Sequence, residues 1–249
     1  MSITAPPAAA TRPVTDPLRR TSRIAGALYL LTFVSIPTLS LYKPVKDDVG
    51  AFLLGAGSDT GVMVGALLEV IIGLAGISTA VVLFPVLKRQ NQSAALGIVT
   101  ARLVETSLIF VGAVSLLTIV TLRNDVVGTA GTDPAALLTT GHTLVATYTW
   151  TFLLSQSLMP VFVDLLLGYL LYRSGLVPRI LPIIAFVGAP LLLLSDIAIF
   201  FGVYENVSPL ALLAAVPVAV FELSFGVYLL VKGFRPGAVA ALRTGQAVR

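Results

Sequence analysis

The stretch Ala94–Leu122, AALGIVTARLVETSLIFVGAVSLLTIVTL, decides the fold. A bilayer-spanning helix needs about 18 or more consecutive, mostly apolar residues, and this run exceeds that with only Arg102 and Glu105 charged. Five further apolar runs accompany it: Ile24–Leu41, Val62–Leu87, Leu144–Tyr172, Ile180–Val203 and Leu210–Val231. Each reaches the length of a membrane span. The expected fold is therefore all-α, a polytopic membrane bundle of six transmembrane helices.

Composition agrees with the count of spans. The 249 residues are 57% hydrophobic and 11% charged, too little polar material to coat a soluble globule. The chain has no Cys, which removes disulfides, thiolate metal sites, cysteine catalysis and S-palmitoylation. Residues 1–20, rich in Ala, Pro, Thr and Arg without apolar periodicity, read as a disordered cytoplasmic tail. They are followed by a transmembrane domain over 21–235 and a basic cytoplasmic tail over 236–249. The first apolar run starts at Ile24 with no clean small-residue cleavage site after it, so it reads as an uncleaved helix.

Polar, Gly-rich connectors separate the runs, the longest being Lys43–Gly61 and Arg123–Pro134; within the first, Val49–Leu54 is too short to span. Basic residues set the orientation. With a cytoplasmic N-terminus, the inner side collects Arg12, Arg19, Arg20, Arg23, Lys88, Arg89, Arg173, Arg179, Lys232, Arg235, Arg243 and Arg249. The outer side has only Lys43, Lys46 and Arg123, so both termini are expected in the cytoplasm. The net charge of +4 is then an orientation signal, and nucleic acid is not expected as a partner.

Ionisable side chains inside the spans mark where function should be sought: Glu69, Arg102, Glu105, Asp164, Asp196 and Glu222. A central Asp or Arg costs roughly 2.5–3.5 kcal/mol, which about ten Leu or Ile at −0.3 to −0.6 each offset. The third span must offset two charges, a lighter burden when Arg102 and Glu105, three residues apart on one helical face, neutralise one another. Counting at about 1.5 Å per residue from the cytoplasmic ends puts Arg102 and Asp164 at roughly 12 Å, Glu222 at roughly 14 and Glu105 at roughly 17, with Glu69 and Asp196 at roughly 24–27 Å. A lower layer of one cation and three acids therefore lies beneath an upper pair of acids. One Arg cannot neutralise three carboxylates, so some of these acids are expected to hold protons at neutral pH, or to bind a cation.

In the second span Gly65, Glu69, Gly73, Gly76 and Ala80 fall on one stripe, which places Glu69 against a neighbouring helix. Small-residue stripes also permit a homo-oligomer or a membrane partner. Enzyme signatures are thin: a single His, His142, falls short of a zinc site, and no GxSG-like elbow is present. No cofactor is expected. Tyr148 and Trp150 read as an outer aromatic belt, and Pro37, Pro85, Pro160, Pro182, Pro190 and Pro217 put a proline in every span but the third.

Arg23–Leu30 (RIAGALYL), Arg102–Glu105 (RLVE), Leu176–Arg179 (LVPR), Phe221–Leu223 (FEL) and Leu230–Arg235 (LVKGFR) together resemble an uncharacterised bacterial family of multi-pass membrane proteins, a domain of unknown function, over about residues 20–236. The resemblance implies six helices and a bacterial plasma membrane, and brings no activity, ligand or catalytic residue. Three functions remain open. The leading one is a structural or partner-binding bundle whose polar network fixes helix register. The alternatives are a proton- or cation-coupled small-solute transporter, in which Arg102 pairs Asp164 or Glu222, and an intramembrane enzyme. A cavity reaching Arg102, Glu105 and Glu222 would favour transport; a dry bundle with every acid paired would favour the structural reading.

Overall fold

Helices dominate because the spans have no polar backbone partner other than themselves: in hydrocarbon every N–H and C=O must be satisfied within the segment. The computed structural model describes residues 17–126 and 133–244, and among them there is no strand. The elements in order are α1 (Pro17–Thr32), a 3₁₀ turn (Phe33–Ser35), α2 (Thr38–Leu41), α3 (Lys43–Asp47), α4 (Val49–Leu53), α5 (Asp59–Leu87) and α6 (Gln92–Val126). After the undescribed segment come α7 (Pro134–Phe152), a π-helical stretch (Leu153–Leu158), α8 (Met159–Ser174), α9 (Ile180–Phe200), α10 (Pro209–Val231) and α11 (Pro236–Thr244). Six segments are long and apolar enough to cross a membrane: Leu18–Leu41, Asp59–Leu87, Gln92–Asp125, Pro134–Ser174, Ile180–Phe200 and Pro209–Val231.

The six spans close a ring in chain order. α1 packs on α5, α5 on α6, α6 on α7 and α8, α8 on α9, α9 on α10, and α10 returns to α1. The closing seam depends on Gly26: a Cβ there would sit 2.6 Å from the Gly226 carbonyl and the Leu230 amide, so only glycine lets the two backbones approach. Outward faces stay apolar, with Leu67, Leu194 and Leu213 each at least 60% exposed. A soluble protein would hide such residues; a bilayer solvates them.

Two irregularities interrupt the ring at the same level. The first span breaks at Phe33–Pro37, where a 3₁₀ turn precedes Pro37, whose missing N–H cannot continue the ladder. The fourth span widens into the π stretch, with the Met159 amide donating to the Leu154 carbonyl five residues back. Pro160 explains the widening: its ring would clash with the carbonyl four residues earlier, so the turn before it opens.

At the terminal end, Ala25, Tyr29, Leu83, Leu87, Leu167, Leu171, Phe221, Phe225 and Phe234 form the largest core. Gly175, at φ 63°, ends α8 in the left-handed conformation that glycine adopts without strain. The opposite end carries a second core, where Tyr42, Val45, Val49, Phe52 and Leu53 of the first connector cover Val62, Leu116, Ile119 and Tyr148. Arg123 staples this cap: it bonds Asp59 at 2.9 Å and the Gly55 carbonyl at 3.0 Å, and stacks on Phe52 with the guanidinium 4.7 Å from the ring centroid.

The boundaries differ most from the sequence reading at the fourth span and at the two tails. The fourth span starts at Pro134 instead of Leu144, because Asp133 caps the Ala135 amide and starts the helix early. Residues 17–20, read as tail, form the first turn of α1, and 236–244, read as tail, form α11, whose Ala238 is buried in the terminal core. Within Val49–Leu54, too short to span, Val49–Leu53 folds as the short helix α4. Residues 1–16 and 245–249, the remainder of both predicted tails, and the 127–132 part of the third connector lie outside the described residues.

Candidate functional site

Arg102 and Glu105, one turn apart on α6, point into the ring: Nη1 of Arg102 donates to both carboxylate oxygens of Glu105 at 2.8 and 2.9 Å. Nη2 donates to Oε1 of Glu222, carried across the ring by α10, at 3.2 Å. The sequence left Asp164 or Glu222 as the cross-ring partner, and the structure makes it Glu222. Both α6 residues are buried, Arg102 at 3% exposure and Glu105 at 6%, while the Glu222 side chain keeps 16%. Tyr29 of α1 lies under the guanidinium, its ring centroid 5.7 Å away. Gly76 of α5 leaves room on the other side, since a Cβ there would be 3.7 Å from Arg102 Cδ.

Asp164 of α8 completes the lower layer without touching it. It has no solvent exposure, neither carboxyl oxygen meets a hydrogen-bond partner among the described residues, and its electrostatic neighbours are Glu222, Arg102 and Glu105. Arg102 therefore faces three acids and bonds two. An isolated carboxylate so deep would cost many kcal/mol, so a carboxyl in such a place holds a proton or a counter-ion.

The upper acids do not meet as a pair. Glu69, set in its small-residue stripe, accepts hydrogen bonds from Tyr148 Oη at 3.1 Å and Gln156 Nε2 at 3.3 Å. The Tyr42 hydroxyl faces the same carboxylate but falls short of hydrogen-bond geometry. Asp196 of α9 accepts from Ser157 Oγ at 2.5 Å, and its Oδ2 meets no partner among the described residues. Gln156 and Ser157 are adjacent, so the π stretch holds one acid on each side. Within the stripe, Gly65 packs on Tyr42, and a Cβ on Gly73 would meet Thr106 Cγ2 at 2.7 Å. The small residues serve this packing.

Two cavities flank the π stretch. The inner one, about 240 Å³, is lined by Arg102, Glu105, Glu222, Gln156 and Ser157, with Ile36, Ile72, Leu192 and Val218 among its apolar walls. The outer one, about 660 Å³, lies under the cap among Lys43, Lys46, Asp47, Trp150, Tyr204 and Glu205, with Leu39 and Leu153 also on its wall. Leu39 and Ile36 are three residues apart, as are Leu153 and Gln156. A septum about one helical turn thick, roughly 4.5 Å of rise, separates the cavities on these two spans. It coincides with both backbone irregularities, which membranes tolerate where backbone lines a cavity or is buried in protein.

Lys46 projects into this region, its Nζ 5.3 Å from the Tyr148 ring centroid and 5.8 Å from that of Phe152. Burial holds its pKa below the ordinary lysine value, against the opposing charges of Asp47 and Glu69.

Sequence reasoning missed Tyr29, Gln156 and Ser157, and misplaced Tyr148. Tyr148 is buried, 2% exposed, whereas Trp150 is 48% exposed. Two residues apart on a helix are about 200° apart in direction, so the two cannot share a belt face. The signal for the others was Ser155-Gln156-Ser157, the polar step inside an otherwise apolar run and just ahead of Pro160. His142 is exposed, and among the described residues no three His, Cys, Asp or Glu side chains are grouped to hold a metal ion.

A family model described as a domain of unknown function (DUF4386) matches residues 24–233, and the chain belongs to that family. No curated protein and no solved structure matches the chain.

Proposed function

We propose that the protein is a proton-coupled carrier of a small cation, seated in the plasma membrane of a bacterial cell with both termini in the cytoplasm. The observation that carries this reading is the inner cavity, whose wall is shared by Arg102, Glu105 and Glu222, together with the buried Asp164, whose carboxyl oxygens meet no hydrogen-bond partner among the described residues. A network serving only to fix register has no use for empty volume or for an acid left without a partner. The excess of carboxyl over guanidinium favours a positively charged solute, with a proton as the alternative occupant. Size narrows the class. About 240 Å³ is roughly the volume share of eight waters and falls below the 300–1,000 Å³ of drug-sized sites. Entry through the outer cavity requires only that the one-turn septum move.

One observation favours the structural reading instead: the bidentate Arg102–Glu105 pair satisfies Glu105 within its own helix, as a register-fixing network would. The two readings separate in proteoliposomes loaded with a pH-sensitive dye and challenged with choline, tetramethylammonium, sodium and potassium. Carriage gives a cation-dependent pH change in the lumen that Glu105→Gln and Asp164→Asn abolish without unfolding the protein. No pH change with any of the four cations, in wild-type protein of intact fold, would refute carriage of this class.

A further inference from the structure

The end of the bundle at which α1 starts and α10 finishes has a charge pattern unlike the rest. Arg19, Arg20, Arg23, Lys88, Arg89, Arg173, Arg179, Lys232 and Arg235 lie there. Every described acid lies elsewhere: Asp47, Asp48, Asp59, Asp125, Asp133 and Glu205 at the opposite end, and the other five inside the spans. Within this basic end, a cavity of about 660 Å³ opens between the first turn of α1, the exit from α10 and the start of α11.

Its walls divide into two kinds. Arg19 and Lys232 supply charge, and neither meets an acid among the described residues; Leu18, Val231, Phe234 and Val239 supply apolar surface. The inner and outer cavities both have carboxylates on their walls, and this one has none among the described residues. Leu18 is the first residue of the first span and Val231 the last of the sixth, so the cavity lies where two spans end. Its shape is fixed by the fold: Gly233, at φ 76°, turns the chain against Ser22, and the Arg235 amide bonds the Leu176 carbonyl at 2.9 Å. Ala238 then anchors α11 in the terminal core, which fixes this short helix against the bundle.

We propose that this cavity is a binding site for the phosphate headgroup of an anionic phospholipid, with Arg19 and Lys232 on the phosphate and the apolar wall on the start of the acyl chains. Basic pockets at the end of a helix bundle recognise lipids in this way, and cations near an anionic leaflet attract it. The site is separate from the inner cavity and holds whether or not the protein carries a solute.

Native mass spectrometry of the full chain in neutral detergent tests it, titrating phosphatidylglycerol, phosphatidylcholine and inorganic phosphate. Phosphatidylglycerol is expected to be retained as one tightly held lipid, and Arg19→Gln with Lys232→Gln to weaken it about thirtyfold. Lys88→Gln with Arg89→Gln removes the same charge from the same end outside the cavity, and is expected to change affinity less than about threefold. The swap Arg19→Lys with Lys232→Arg keeps the charge and retains the lipid; it guards against loss through misfolding. Equal weakening by both Gln pairs would reduce the effect to diffuse attraction and overturn the site. Equal retention of phosphatidylcholine, or displacement of the lipid by inorganic phosphate at matching concentration, would overturn it as well.

Discussion

Replacing Arg102 by Met removes the sole described cation in the inner layer while keeping the volume of the side chain. Three hydrogen bonds are lost, two to Glu105 and one to Glu222, at residues 3% and 6% exposed in the case of Arg102 and Glu105. Breaking a buried pair by deleting one partner costs about 3–5 kcal/mol, because the other charge is stranded. For a protein of this size that is a fall in Tm of roughly 6–20 °C. The stranded carboxyl can escape by taking a proton. From its ordinary value near 4.3, holding that proton costs about 3.7 kcal/mol at pH 7 and about 1 at pH 5. The variant should therefore recover up to about 2.7 kcal/mol per neutralised acid on acidification, relative to wild type at the same pH. The sign follows from linkage: an acid kept protonated in the fold is tolerated at low pH, and its burden grows as pH rises. Thermal unfolding in detergent measures both. Arg102→Met with Glu105→Gln should be more stable at pH 7 than Arg102→Met alone, by about 1–3 kcal/mol, since the main stranded charge is gone. A double variant as unstable as the single, with a deficit that ignores pH, would refute the idea that Arg102 offsets a surplus of acid.

The remaining predictions concern the septum, the seam and the cap. Because the chain has no Cys, single cysteines report cleanly on access: Leu39→Cys should react fast with a membrane-impermeant cationic thiol reagent applied at the cap side, and Ser157→Cys slowly but from that side only. Reaction of Ser157→Cys solely from the terminal side would place the route elsewhere. Gly26→Val should collapse the α1–α10 seam, seen as loss of folded protein, whereas Gly237→Ala, with open space around it, should leave Tm unchanged. Lys46 has a depressed pKa in the fold, so the unfolded chain binds its proton more firmly; wild-type stability should rise as pH climbs toward 10.5, and Lys46→Gln should lose that rise.

Much of this was legible in the sequence, and the rest failed for local reasons. Apolar length alone gave the six spans, because a bilayer imposes it. Depth along the helices grouped Arg102, Glu105, Asp164 and Glu222, and the i,i+3 spacing gave the Arg102–Glu105 pair. Depth could not give azimuth, so Glu69 and Asp196, level with one another, were read together when they face different partners. The π stretch was hidden because its cause, Pro160, reads in sequence as one more membrane proline. Tyr148 was misjudged because aromatic composition was weighed without the helical angle separating it from Trp150. The ring closure through Gly26 was beyond reach, since it depends on α10, far along the chain.

Proton-coupled carriage of a cation requires an acid of the inner layer to hold an exchangeable proton that a cation displaces. Infrared difference spectra of the protein in lipid at neutral pH read this from the C=O stretch of a protonated carboxyl. The expected result is such a band in wild-type protein, absent in Asp164→Asn, and diminished when choline or sodium is added. Spectra with carboxylate bands alone at neutral pH, unchanged by any cation, would contradict it.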